Sequence, residues 1–201
     1  MKVKIIGITG PSGSGKNFIC SILEREGIAV VDADVAARQA METDSPCLNE
    51  LKEAFGNILT KTGELDRRKL AKKAFETREN TEKLNRITLP HIMGIIKKKL
   101  EYLRETGAKI VLLNAPLLFE AKANELCDKS IVILADREIR INRLKKREKI
   151  NGVELERRLK AGKDDKYYRS FADMVLFNNS DNEDSAEVQK NIELLKGIIK
   201  I

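Results

Sequence analysis

The stretch KIIGITGPSGSGKNFICSIL, residues 4–23, decides the fold. It opens as an apolar run, breaks at Gly10-Pro11, reaches Lys16 and then turns amphipathic. Gly10, Gly15 and Lys16 satisfy the phosphate-binding pattern G-x-x-x-x-G-K-[ST], except that Asn17 stands where the pattern has a hydroxyl. A bare G-x-x-x-x-G-K arises by chance in roughly one chain in twenty of this length. The weight therefore rests on context, with a buried strand before the glycines and a helix after them. In that setting backbone N–H groups turn inward around phosphate oxygens, and the helix N-terminus adds partial positive charge. On this reading Pro11, Ser12, Gly13, Ser14, Gly15, Lys16 and Asn17 form the cradle for ATP. Lys16 supplies a point charge to the β- and γ-phosphates. The Asn17 amide oxygen, a hard neutral donor, replaces the hydroxyl as a ligand for Mg²⁺. The bland alternative is a glycine-rich turn between a strand and a helix.

Further along the chain the pattern repeats. IAVVDAD (28–34), KIVLLNAP (109–116), SIVILAD (130–136) and DMVLF (173–177) are short apolar runs, like VKIIGIT (3–9), and helical segments separate them. Strands of this kind are covered on both faces, which predicts an α/β fold with a five-stranded parallel sheet between helices. The first helix ends at Gly27, and a last helix from Asp184 carries Val188, Ile192, Leu195 and Ile199 on one stripe. Residues 35–108 contain charged amphipathic helices and no convincing strand. They read as a helical insert that covers the substrate, and residues 137–165 read as a second, mobile, helical and Arg-rich element, all within one domain.

Composition narrows the function classes. The chain has 201 residues, 42% apolar and 34% charged, enough for one well-cored domain. No apolar run approaches the roughly 20 residues of a membrane helix. Cys20, Cys47 and Cys127 are odd in number and far apart, which argues against zinc and a disulfide frame and for buried thiols in a cytoplasmic protein. His91 is the only histidine and reads as structural or surface. The net charge of +7 is localised: residues 137–169 hold 13 Lys and Arg against 6 Asp and Glu, and the remainder is balanced at 25 against 25. Such a segment suits a polyphosphate ligand or nucleic acid. With three Tyr and six Phe, platforms for stacking bases are scarce, so nucleic acid is not the expected partner.

Two further groups carry candidate chemistry. Asp32 and Asp34 lie two apart at a strand end. One would hold a metal-bound water and the other accept a proton, or the pair is a solvated turn in which Asp34 caps a helix. Arg140, Arg143 and Arg147 share a helix face, suited to phosphate oxygens, or else form an exposed basic face.

Taken together, these pieces resemble the dephospho-CoA kinase family over nearly the full length. GITGPSGSGK (7–16) resembles its P-loop, VVDADVAAR (30–38) its second-strand motif and GELDRRKLAKKAF (63–75) its insert motif. APLLFE (115–120) is similar to its third-strand end, RINRLKKR (140–147) to its lid and FADMVLFNNSD (171–181) to its last strand and loop. The resemblance implies a P-loop kinase core that moves the γ-phosphoryl group of ATP to the ribose 3′-hydroxyl of dephospho-CoA. It implies Asp34 as general base with Asp32 beside it. It places Arg67, Arg68, Leu117, Leu118 and Glu120 towards the acceptor, Arg143 and Arg147 on phosphates, and Asn178 and Asn179 near adenine. Asp32 and Asn17 are the implied metal-side residues. The chain departs from the family pattern at Asn17, at Leu89 before Pro90, at Asn114, where an acid is common, and at Gly162. Another nucleoside or nucleotide kinase on the same core, and an ATP-binding regulator without catalysis, are the competing readings.

Overall fold

A computed structural model describes residues 3–148, 152, 155, 159 and 162–200. Five strands form one sheet: β1 (Lys4–Thr9), β2 (Ala29–Asp32), β3 (Ile110–Asn114), β4 (Lys129–Leu134) and β5 (Met174–Phe177). Their order across the sheet is β2-β3-β1-β4-β5. β1 pairs in parallel with β3 and β4, and β4 with β5. The expected parallel five-stranded α/β core is therefore present.

Burial explains why these runs are strands. Ile6, Ile8, Leu112, Ile131 and Ile133 pack into one cluster with Ile19, Ile22 and Leu23 of α1 (Lys16–Arg25). Val188, Ile192, Leu195 and Ile198 of α8 (Ala186–Lys200) complete it. Three members of the expected stripe on the last helix are thus in the core, and the side chain of Ile199 lies outside the described residues. The alternate positions Val111, Leu113, Val132 and Leu134 are fully buried as well, so both sheet faces are covered. At Gly7 a Cβ would meet Leu118 Cδ2 at 2.8 Å and Cys127 Sγ at 2.9 Å, so the strand packs closely there.

The chain divides into two compact units, residues 1–31 with 102–201, and residues 32–101. The insert expected over 35–108 starts three residues after this second unit does and ends seven residues beyond it. That unit is helical: α2 (Ala33–Ala40), α3 (Pro46–Phe55), α4 (Arg67–Ala74) and α5 (Arg78–Glu105), which runs through Pro90 and continues into the first unit. Each of the first three starts on a side-chain cap. Asp32 accepts from the backbone of Asp34 and Val35, Ser45 from Leu48, and Asp66 from Arg68 and Lys69. Cys47, Leu48, Leu51, Phe55, Ile58, Leu70 and Ala74 form its core. In the connection between α3 and α4 Leu59 and Leu65 form an isolated antiparallel bridge.

In the first unit α6 (Arg137–Glu148) and α7 (Asp165–Phe171) flank the lid segment. Most of the residues between them, with the side chain of Arg147, lie outside the described residues, so ten residues of the expected lid are not described.

Candidate active site

The P-loop leaves the C-terminal end of β1, the central strand, where ligands bind on open parallel sheets. Ser14 N donates to Pro11 O at 3.1 Å and closes the turn. Gly13 and Gly15 have φ of 82° and 87°, a region that disfavours side chains. Space excludes side chains there too: a Cβ on Gly13 would meet Arg140 O at 2.8 Å, and one on Gly15 would run into Asn178 Nδ2. The first turn of α1 carries no acidic residue, so nothing opposes an anion at its N-terminus. Ser14 Oγ and both polar side-chain atoms of Asn178 are buried without a hydrogen-bond partner. Such atoms are costly unless a ligand or water satisfies them, and here they belong to the loop and the residue packed against it. A nucleotide triphosphate fits this cradle.

The surrounding side chains are spent on holding the loop. Arg143 donates from Nη1 to Gly13 O at 3.2 Å and Asn178 O at 2.8 Å, and from Nη2 to Ser180 O at 2.9 Å. Its Nε donates to Asp181 Oδ1 at 2.7 Å. Those four bonds use most of the five N–H groups of a guanidinium. Arg143 thus braces the P-loop against the loop after β5. Arg140 joins it, with Nε donating to Ser12 O at 3.0 Å and Nη1 lying 3.9 Å from Asp165. Burial lowers the pKa of Arg140, and the Asp165 charge opposes that. Asn178 N donates to Leu134 O at 2.8 Å. Asn179 accepts from Asp136 N at 2.8 Å and donates to Asp136 Oδ2 at 3.0 Å, which fastens the loop after β5 to the end of β4.

Asn17 and Asn114, two departures noted from sequence, meet each other. Asn114 ends β3, opposite Ile8 of β1, and its Nδ2 donates to Asn17 Oδ1 at 3.1 Å. The oxygen expected to serve Mg²⁺ is thus already a hydrogen-bond acceptor, with one lone pair left. Among the described residues no group of three or more His, Cys, Asp or Glu could hold a metal.

Leu117, Leu118 and Glu120 follow β3. Leu117 is exposed, and the Leu118 side chain is fully buried against Gly7. Sequence reading missed the aromatic cluster beside Glu120. The Phe119 ring lies 5.2 Å from that of Phe171, and Tyr167 lies 5.1 Å from Phe171 and 5.6 Å from Tyr168. Tyr168 is pushed up to about 12, by burial first and then by the Glu120 charge. Burial, followed by the charge and hydrogen bond of Glu120, raises Tyr167 as well. Nothing local in the sequence joins residues 119 and 171. Cys47 and Cys127, raised to about 11 and about 12 chiefly by burial, are unreactive thiols.

In the 32–101 unit β2 ends at Asp32, whose Oδ1 accepts from Asp34 N at 2.7 Å and Val35 N at 3.1 Å. The helical cap is therefore Asp32. Asp34 already lies in the first turn of α2, exposed, so the strand alternation that would aim both carboxylates alike stops short of it. Arg67 and Arg68 are exposed at the start of α4. His91 Nε2 lies 2.8 Å from Glu50 Oε1 and has a structural partner.

A model of the dephospho-CoA kinase family matches residues 4–184. The chain belongs to the dephospho-CoA kinase family. A dephospho-CoA kinase of Fusobacterium nucleatum is 38% identical over 185 residues, which are 92% of this chain and 94% of that one. A crystal structure of a Thermus thermophilus protein superposes with a TM-score of 0.82 at 29% identity, covering 100% of this chain and 98% of the other. A dephospho-CoA kinase from Campylobacter jejuni has a TM-score of 0.70 at 24% identity, covering 98% and 97%, a likeness of fold. The dephospho-CoA kinase family thus accounts for the whole sheet, from the P-loop to the loop after β5.

Proposed function

We propose that this chain transfers the γ-phosphoryl group of ATP to the ribose 3′-hydroxyl of dephospho-CoA, the last step of coenzyme A synthesis. The observation that carries this reading is the P-loop cradle, intact at Gly10, Gly15 and Lys16 in a chain of the dephospho-CoA kinase family. No described helix is long and apolar enough to cross a membrane, and we assign the reaction to the cytoplasm, where ATP is at hand.

Phosphoryl transfer needs positioning and the stabilisation of spread negative charge more than covalent chemistry. The backbone N–H groups at the start of α1 hold phosphate oxygens, and Lys16 adds a charge that follows the transferred group. Arg140 and Arg143 keep the loop in register, and Arg147 remains the lid residue proposed to reach phosphate. The oxygen–phosphorus bond to the ribose forms as the bridging bond to the β-phosphate breaks, and ADP leaves. Asp34 takes the hydroxyl proton late in the transfer. Asp32 is committed to capping α2, which favours Asp34 for that role. Mg²⁺, when bound, would neutralise charge on the phosphates, and Asn17 and Asp32 are the residues proposed to hold it. Arg67, Arg68, Leu117 and Glu120 are proposed to choose the acceptor, and Asn178 and Asn179 to flank adenine.

ADP release measured with dephospho-CoA, nucleosides and nucleoside monophosphates as separate acceptors tests this function. Turnover should require dephospho-CoA. Faster turnover with a nucleoside or nucleotide would reassign the acceptor, and ATP binding without turnover on any of them would favour a regulator.

A further inference from the structure

The mechanism uses Asn17 only as a candidate Mg²⁺ ligand and leaves its bond to Asn114, at the mouth of the P-loop, unused. In P-loop enzymes generally, a Ser or Thr hydroxyl and a strand-end Asp hold Mg²⁺ together. Here both positions are amides, and they are bonded to each other at 3.1 Å. Each change answers the other. A carboxylate at 114 would face the Asn17 oxygen with another acceptor, whereas the Asn114 amide gives it a donor. Asn114 is 2% exposed, so its orientation is set by packing, while Asn17 is exposed on the first turn of α1.

We propose that Asn17 and Asn114 act as one unit that makes the site tolerant of ATP without its magnesium ion. A buried strand-end carboxylate would repel the free, tetra-anionic nucleotide and would be neutralised when Mg²⁺ arrives, so it discriminates between the two forms. A neutral amide does not repel free ATP, and it attracts the cation less than a carboxylate does. The positive terms, Lys16 and the helix N-terminus, attract both forms, and the more highly charged free nucleotide at least as strongly. The chain is thereby built to bind a nucleoside triphosphate across a wide range of free Mg²⁺. This inference rests on ATP being the phosphate donor and is independent of the acceptor.

The test is ATP binding by calorimetry without acceptor, in EDTA and in excess Mg²⁺, for the wild type, Asn17→Ser, Asn114→Asp and the double variant. The nucleotide-free unfolding midpoint of each is recorded alongside. The wild type should discriminate between the two forms by less than about tenfold. The double variant should favour the magnesium form at least tenfold more than the wild type does, and by more than the product of the two single effects. A second variant avoids any change in the core. Asn17→Asp puts the charge at the exposed position, and it should weaken free ATP at least tenfold more than magnesium ATP. Equal weakening of both forms by Asn17→Asp, or a wild type as discriminating as the double variant, overturns the proposal. So does a double variant whose effect is the simple product. An ATP that binds in neither condition would overturn the donor assignment itself. A wrong acceptor would leave every titration unchanged.

Discussion

The P-loop surroundings and the 32–101 unit solve positioning in opposite ways. Around the P-loop, long-range bonds fix the polar side chains: Arg143 to three backbone carbonyls, Arg140 to Ser12, Asn179 to Asp136 and Asn114 to Asn17. In the 32–101 unit the caps Asp32, Ser45 and Asp66 fix the helices through bonds no more than three residues away. The candidate functional side chains Asp34, Arg67 and Arg68 stay exposed. A phosphate chain is the same in every ATP, so its cradle can be built rigid before it binds, and such preorganisation is what stabilises transition-state charge. An acceptor is recognised by groups that remain available to it.

The largest expected effect lies at the rigid end. Lys16→Ala should lower kcat by about 10²–10³-fold, as for loss of a charge on the transferred group, with an unchanged unfolding midpoint. Near-normal turnover would break the account of the cradle.

Next comes the carboxylate pair. Asp34→Asn should reduce kcat by about 10²–10⁴-fold, the usual contribution of a general base, while ATP affinity stays within about twofold. Asp32→Asn retains a capping side chain, so α2 should stay folded and the rate should fall much less. If the Asp32 variant is the slower one, the roles of cap and base are exchanged.

Arg143 separates the two regions by stability. Arg143→Ala strips a nearly buried brace from three carbonyls and a carboxylate, and should cost about 2 kcal/mol and several degrees of Tm. Arg143→Lys should not rescue it, because an ammonium cannot reproduce the fork. Arg67→Ala and Arg68→Ala should leave Tm within about a degree and raise KM for dephospho-CoA. A stable Arg143→Ala protein with slowed chemistry would favour the phosphate-clamp reading.

The smallest effect is a pH dependence in the 32–101 unit. The Lys69 backbone N–H, foremost, holds the Asp66 carboxyl below its usual range. A lowered folded pKa contributes stability that is present above the unfolded value, about 3.9, and is lost as pH falls through the folded one. Acid unfolding monitored by circular dichroism should show Asp66→Asn losing less stability over that window than the wild type. Parallel curves would mean the cap contributes no charge.

The sequence made the sheet and the P-loop readable because both depend on local pattern: apolar runs of the right length, glycines before Lys16 and a helical stripe after it. The division between sheet and helical insert was readable from the gap between the second and third strands. Long-range bonding was not. Arg140, Arg143 and Arg147 share a helix face, and nothing in their spacing tells that Arg143 is consumed by Gly13, Asn178 and Ser180. Leu118 sits in a motif that resembles the family's acceptor side, and its burial against Gly7 is a long-range contact too. Asn17 and Asn114 were each visible as departures, but their pairing depends on the β1–β3 register. The end of β2 was overrun by two residues because the Asp32 side chain bonds its own downstream backbone, a competition that apolar periodicity does not record.

The position of the transferred phosphate decides the central claim. The product of ATP and dephospho-CoA is followed by ³¹P NMR with this chain at catalytic concentration. One new monoester resonance, coupled to the ribose 3′-proton and formed one for one with ADP, is the predicted result. Release of inorganic phosphate with dephospho-CoA unchanged, or a monoester on any other hydroxyl, would contradict it.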